Sequence, residues 1–175
     1  MNMRLLCCLV LSCAFAGAQT RPAAAGASSM ASGIFQQLGQ VQATNRAILE
    51  ELSKTPPATQ AAARLAVQAA DQARTIRQGV EDMDQHYDSM TPQRQEALRR
   101  AWSIAVIMDA CSSSARDSAK IESGGAAEMR TGADCALRRS GQLDETLAPF
   151  KEGYVPPAPA PAKQSSSPRR APRSN

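Results

Sequence analysis

The residues best suited to binding chemistry lie in one short segment, Glu81 to Met90. On a helix, Met83, His86 and Met90 would share one face, because side chains spaced by whole helical turns project in similar directions. Thioether and imidazole ligands suit copper(I), whereas Asp82 with His86, one turn apart, would suit zinc. The segment is therefore a candidate metal site. The preferred interpretation is structural, because both methionines also fit a regular apolar core face.

Residues for enzymatic chemistry are scarce. The chain has one His, and the motifs Gly-x-Ser-x-Gly, His-Glu-x-x-His and the glycine-rich phosphate loop do not occur in it. The haem attachment motif Cys-x-x-Cys-His is missing as well. Most carboxylates fall on predicted solvent faces, as Glu50 and Glu51 do. We therefore predict a protein that is not an enzyme and has no catalytic residues and no cofactor.

Composition favours an all-α protein. Alanine occurs 33 times, against one Trp, two Tyr and three Phe. Alanine is the best helix former, while strands prefer β-branched and aromatic residues. The length of 175 residues allows one ordinary domain with appendages. A β-sandwich and a doubly wound α/β enzyme are both disfavoured.

The net charge of +4 comes mainly from the ends of the chain. Residues 28–150 carry 13 Lys and Arg against 15 Asp and Glu, so the predicted folded part is slightly acidic. A nucleic-acid-binding domain would instead present a basic face on its ordered elements. We therefore predict no nucleic-acid partner.

Residues 1–18 have the pattern of a secretory signal peptide. Arg4 precedes an apolar run from Leu5 to Ala16, which is too short to span a bilayer, and Ala16-Gly17-Ala18 resembles a cleavage site. The pattern predicts a bacterial protein that is periplasmic or secreted, with no transmembrane segment after cleavage. The alternative is a lipoprotein anchored at Cys13, and residues 19–27 are expected to be a flexible lead-in.

Two cysteines, Cys111 and Cys135, remain after cleavage of the signal peptide. An even number of cysteines in an exported chain predicts a disulfide. Both lie at the same distance in sequence from Ser123, at the centre of the Ser123-Gly124-Gly125 turn. In an antiparallel helical hairpin the two would therefore come level. The predicted disulfide and the predicted helical hairpin therefore support each other.

Four helices are predicted, at about 28–54, 58–89, 91–122 and 126–148. Thr55-Pro56-Pro57 ends the first, and Thr91-Pro92 begins the third as N-cap and first helical residue. Apolar residues alternate four and three apart, as in coiled coils. The predicted core faces comprise Ile34, Leu38, Val41, Asn45, Ile48 and Leu52; Ala62, Ala66, Ala69, Ala73, Ile76, Val80, Met83, Tyr87 and Met90; Ala97, Ala101, Ile104, Met108, Cys111 and Ala115; and Ala126, Met129, Ala133, Ala136, Leu143 and Leu147.

The third helix is apolar nearly all round between Trp102 and Met108, where Ser103 is the single polar residue. Such a helix is normally the most buried one. The alternative is an exposed groove for a partner. The regular faces also permit association between chains, so a protein partner or a homodimer through helical faces is expected.

Residues 151–175 are rich in Pro, Ser and Arg and are expected to form a disordered basic tail. Its cations would give a weak contact with an anionic envelope surface.

The sequence thus predicts an up-down antiparallel four-helix bundle over residues 28–150. By elimination it predicts a non-enzymatic binding or scaffolding module of the cell envelope, such as an adaptor, secretion accessory or chaperone-like protein. A periplasmic copper- or zinc-binding protein using the Asp82–Met90 cluster is the alternative.

Overall fold

The computed structural model describes residues 22–121 and 125–155, so the predicted signal peptide and residues 156–175 of the predicted tail lie outside the described residues. Four α-helices make up most of the described chain: α1 Pro22–Ser53, α2 Thr59–Met83, α3 Pro92–Ser118 and α4 Gly125–Thr146. Two 3₁₀ helices follow α2 and α4, at Asp84–Ser89 and Ala148–Phe150. These ranges contain no strand and no helix long and apolar enough to cross a membrane.

Most helix ends lie where the local sequence predicts them. α1 ends at Ser53, just before the two prolines, and the Thr91 hydroxyl accepts a hydrogen bond from the Arg94 backbone N–H. The prediction of a flexible lead-in was wrong for its last residues, because α1 already begins at Pro22. Ala27 is fully buried in the core, and this packing favours helix there.

Each helix packs on its neighbours in the chain, and α4 also packs on α1. The Arg130 guanidinium donates to the carbonyl of Leu52 in the last turn of α1, and Arg77 of α2 forms an ion pair with Asp109 of α3. The predicted disulfide joins α3 and α4, with 5.8 Å between the Cα atoms of its cysteines. The helices therefore pack as a bundle, and these contacts fit the up-down antiparallel order.

The core consists of two apolar clusters along the bundle. They divide between Val41 and Ile48 in α1 and between Met108 and Ala115 in α3. The fully buried side chains of Asn45 and Ser112 lie in these two gaps. Asn45 donates from Nδ2 to the Val41 carbonyl, but its Oδ1 and the Ser112 hydroxyl have no hydrogen-bond partner among the described residues. The predicted polar position at Asn45 is thus a core position and not the edge of a face.

The bundle extends beyond its predicted end at residue 150. Lys151 lies over the ring of Phe35, 4.8 Å from its centroid, and also pairs with Asp144. The Tyr154 hydroxyl accepts a hydrogen bond from Gln93. The first residues of the predicted tail therefore dock on the bundle, because they carry a cation and an aromatic ring that find partners there.

Candidate functional site

The predicted metal cluster does not lie on one helix face. α2 ends at Met83, and the chain continues as a 3₁₀ helix to Ser89, so the predicted helix to residue 89 was wrong over its last turns. Met83 is fully buried and Met90 is 9% exposed, and both belong to the same apolar cluster. The two thioethers therefore have a packing role in the core.

The other two candidate ligands are placed differently. The His86 imidazole lies against the start of α1, where a Cβ built on Gly26 would be 3.2 Å from His86 Nε2. Asp82 is exposed, whereas Met83 beside it is buried. Residues 22–121 and 125–155 contain no group of three or more His, Cys, Asp and Glu that could hold a metal ion. The four candidate ligands are thus divided between the core, which holds Met83 and Met90, and more exposed positions, which hold Asp82 and His86.

α3 is not the most buried helix, contrary to the prediction, and its exposed residues form the candidate site. Trp102 is 50% exposed and Ile107 is 41% exposed, and Ile121, just after the helix, is 55% exposed. The predicted core residues Ile104 and Cys111 are only half-buried, while Ala105 and Ser112 are fully buried. The buried face is therefore rotated relative to the predicted one. Four-three spacing alone does not show which face the neighbouring helices cover. It therefore could not predict that apolar residues of α3 would lie on the solvent side.

We refer to the solvent-facing surface of this helix as the outer face of α3. Its middle is apolar or weakly polar, and one charged residue lies at each end. It comprises Arg99, Trp102, Ser103, Val106, Ile107, Ala110, Ser113, Ser114 and Asp117, all of which are exposed or half-buried. Exposed large apolar side chains such as Trp102 and Ile107 are a common feature of sites of protein–protein contact.

A shallow groove of about 590 Å³ runs along the border of this face with α4. Val106, Ile107 and Ala110 line its α3 side, and Thr131 lies on its α4 side. Cys111 and Cys135 also line it, so the disulfide is part of its wall. The groove is therefore mostly apolar, with Glu128 as its one charged lining residue, and the disulfide holds its two sides together.

Gly132 brings the two helices together beside the disulfide. A Cβ built on Gly132 would lie 2.8 Å from the Ala115 nitrogen and 2.8 Å from the Cys111 carbonyl oxygen. Only a glycine permits this approach of two backbones. Glycine inside a helix costs about 1 kcal/mol relative to alanine, so its presence here points to a packing requirement.

Gly132→Ala is expected to destabilise the protein, although alanine is the better helix former. The gain of about 1 kcal/mol in helix propensity is outweighed by overlap with backbone atoms, which cannot move aside as a side chain would. We expect a net loss of about 1–3 kcal/mol in urea denaturation. Gly39→Ala is the matched control, because nothing lies within 4 Å of that Cβ and the change should stabilise. A stabilising Gly132→Ala would contradict the close contact of α3 and α4.

Charged residues lie at both ends of the outer face. The Arg99 guanidinium lies over the Tyr87 ring at 5.3 Å from its centroid and approaches Glu96 at 3.8 Å. Arg116 and Lys120 both donate to Oδ1 of Asp117 and lower the pKa of that carboxyl, so it is ionised at neutral pH. Asp117 is therefore paired with two cations, and the carboxyl-terminal end of the face carries no net negative charge.

The sequence identified the apolar stretch of α3 and gave its exposure only as the alternative, and it did not indicate the part played by Gly132. The usable signals were the extra apolar residues Val106 and Ile107 outside the predicted core face, and a glycine within a helix. No protein-family model, no curated protein and no solved structure matches the chain in the comparisons with known proteins.

Proposed function

We propose that the protein is an exported, non-enzymatic binding module of the bacterial cell envelope, and that it contacts its partner through the outer face of α3. The observation that carries the proposal is the exposure of two large apolar side chains of α3: Ile107, which lines the groove between α3 and α4, and Trp102, which lines a second pocket together with Val80 of α2. Trp is enriched among the few residues that supply most of the binding energy in protein interfaces. An adaptor, a secretion accessory or a chaperone-like protein would each use such a surface.

Export is supported by two features of different kinds. Residues 1–18 have the pattern of a signal peptide, which would direct the chain to the periplasm or the medium. Cys111 and Cys135 form a disulfide, and such bonds persist in oxidising compartments. A lipoprotein anchored at Cys13 would place the same bundle in the same compartment.

The rigidity of the surface also favours a binding role. The disulfide and the contact at Gly132 fix α3 against α4 along the groove. A surface that is already ordered loses less conformational entropy when a partner binds. The binding face therefore does not have to be assembled at the moment of contact.

A photo-cross-linking amino acid at Ile107 tests this function in cells that export the protein. With p-benzoylphenylalanine at Ile107, ultraviolet light is expected to produce a discrete cross-linked protein band. The control carries the same amino acid at Val67, an exposed apolar residue of α2 that is 47% accessible. Equal labelling at both positions, or none at Ile107, would refute the binding face.

A further inference from the structure

We propose that the bundle binds a water molecule in its core, and that this water bridges Oδ1 of Asn45 in α1 and the hydroxyl of Ser112 in α3. The inference is independent of the proposed binding face and stands or falls without it. It rests on the positions of the two side chains, on the hydrogen bonds around them and on the chemistry of the two atoms that have no partner among the described residues.

Asn45 and Ser112 lie at the same level of the bundle. The boundary between the two apolar clusters crosses all four helices, at 41–48 in α1, 69–73 in α2, 108–115 in α3 and 133–136 in α4. Asn45 and Ser112 both lie at this boundary, and both are fully buried. The two apolar clusters are therefore separated by a layer that contains polar side chains.

Both residues occupy core positions on diagonally opposed helices. Asn45 lies four residues after Val41 and three before Ile48, and Ser112 has the same spacing from its own buried neighbours in α3. Such positions project toward the interior of a helical bundle. α1 and α3 are diagonal to one another, since each of them packs on both α2 and α4. Asn45 and Ser112 therefore approach the bundle axis from opposite sides.

A hydrogen bond within α1 sets the orientation of the Asn45 amide. Nδ2 donates to the Val41 carbonyl at 2.8 Å, whereas the opposite orientation would place two acceptor oxygens against each other. Oδ1 is therefore a buried acceptor, and it has no partner among the described residues. Leaving such an acceptor without a donor is unfavourable, because the oxygen has lost its hydrogen bonds to bulk water.

Ser112 differs from the other buried hydroxyls of the described residues. Those of Thr44, Ser118 and Ser140 each donate to a carbonyl three or four residues earlier in the same helix. The Ser112 hydroxyl forms no such bond within the described part of the chain. It is therefore available for a hydrogen bond across the core.

A water molecule suits these two atoms better than a metal ion does. Water can donate to Asn45 Oδ1 while it accepts from the Ser112 hydroxyl, and buried waters typically make about three hydrogen bonds to groups of this kind. Oε1 of Gln72, at the same boundary in α2, is a third buried acceptor without a partner in the described ranges and would suit the second O–H. All three oxygens are uncharged, whereas a buried cation needs a compensating charge.

A high-resolution crystal structure of the oxidised protein tests the site directly. We expect density for one water molecule at about 2.5–3.0 Å from both Asn45 Oδ1 and Ser112 Oγ. Asn45→Leu should lack this density. Ser140→Ala is the matched control and should retain it, because the Ser140 hydroxyl donates within α4. A direct hydrogen bond between Asn45 and Ser112, a bound cation, or dry packing of the two side chains would overturn the proposal.

A double-mutant cycle in urea tests the bridge in solution, with circular dichroism to monitor the fold. Ser112→Ala should lower the urea midpoint of the parent protein, because the water loses one of its partners. In the Asn45→Leu background the same change should lower the midpoint less or raise it, since the bridge is already gone. Ser140→Ala should shift the midpoint equally in both backgrounds. Equal shifts for Ser112→Ala in the two backgrounds would contradict the bridge.

Discussion

Replacing Cys111 and Cys135 together with alanine is expected to lower the free energy of unfolding by about 3 kcal/mol. The disulfide closes a loop with a sequence separation of 24 and therefore restricts the unfolded chain. Both thiols are removed together, so neither variant is left with a reactive single cysteine. Urea denaturation of the oxidised protein and of the double variant measures the difference.

A reduction experiment is the control for this prediction. Adding a thiol reductant to the parent protein should cause a similar loss of stability, and the double variant should not respond. Non-reducing digestion and mass spectrometry of exported material should join the peptides that contain Cys111 and Cys135. Recovery of two alkylatable thiols from that material would contradict both the bond and the argument for export.

The parts of the fold that could be predicted are those set by local sequence. Prolines exclude helix for the residue before them and favour helix starts, so the breaks before Pro56 and at Pro92 follow directly. The disulfide was predictable because two cysteines equidistant from one turn must come level in an antiparallel hairpin. The predicted core faces of α1 and α4 are confirmed nearly residue by residue, as both are amphipathic over their full length.

The parts that could not be predicted depend on contacts between helices. The apolar spacing of α2 continues through Tyr87 to Met90, yet the backbone tightens to a 3₁₀ helix after Met83. The spacing reflects contact with the core, since Met90 is buried and Tyr87 is half-buried, and such contact does not require an α-helix. For α3 the same spacing could not show which face the neighbouring helices cover. The candidate binding face was therefore only the alternative interpretation at the level of sequence.

Met83→Ala is expected to destabilise the protein by about 2–4 kcal/mol, because it removes a fully buried side chain from the larger apolar cluster. His86→Ala should lower the free energy of unfolding by less than about 1 kcal/mol, since the His86 side chain is only half-buried where it lies against the start of α1. This contrast is the signature of a core methionine beside a peripheral histidine. Urea denaturation of the two variants and the parent protein measures it.

Metal titration decides whether the same residues have a second role. Calorimetric titration of the parent protein with copper(I), and separately with zinc, is expected to give no stoichiometric heat, with His86→Ala as the matched variant. Tight one-to-one binding that His86→Ala abolishes without loss of stability would instead establish the metal-binding alternative. Coordination of copper(I) by Met83 would then require the side chain to move, because it has no solvent exposure, whereas zinc could be held by Asp82 and His86 without it. Copper(I) binding would therefore be coupled to a rearrangement at the junction of α2 and the 3₁₀ helix.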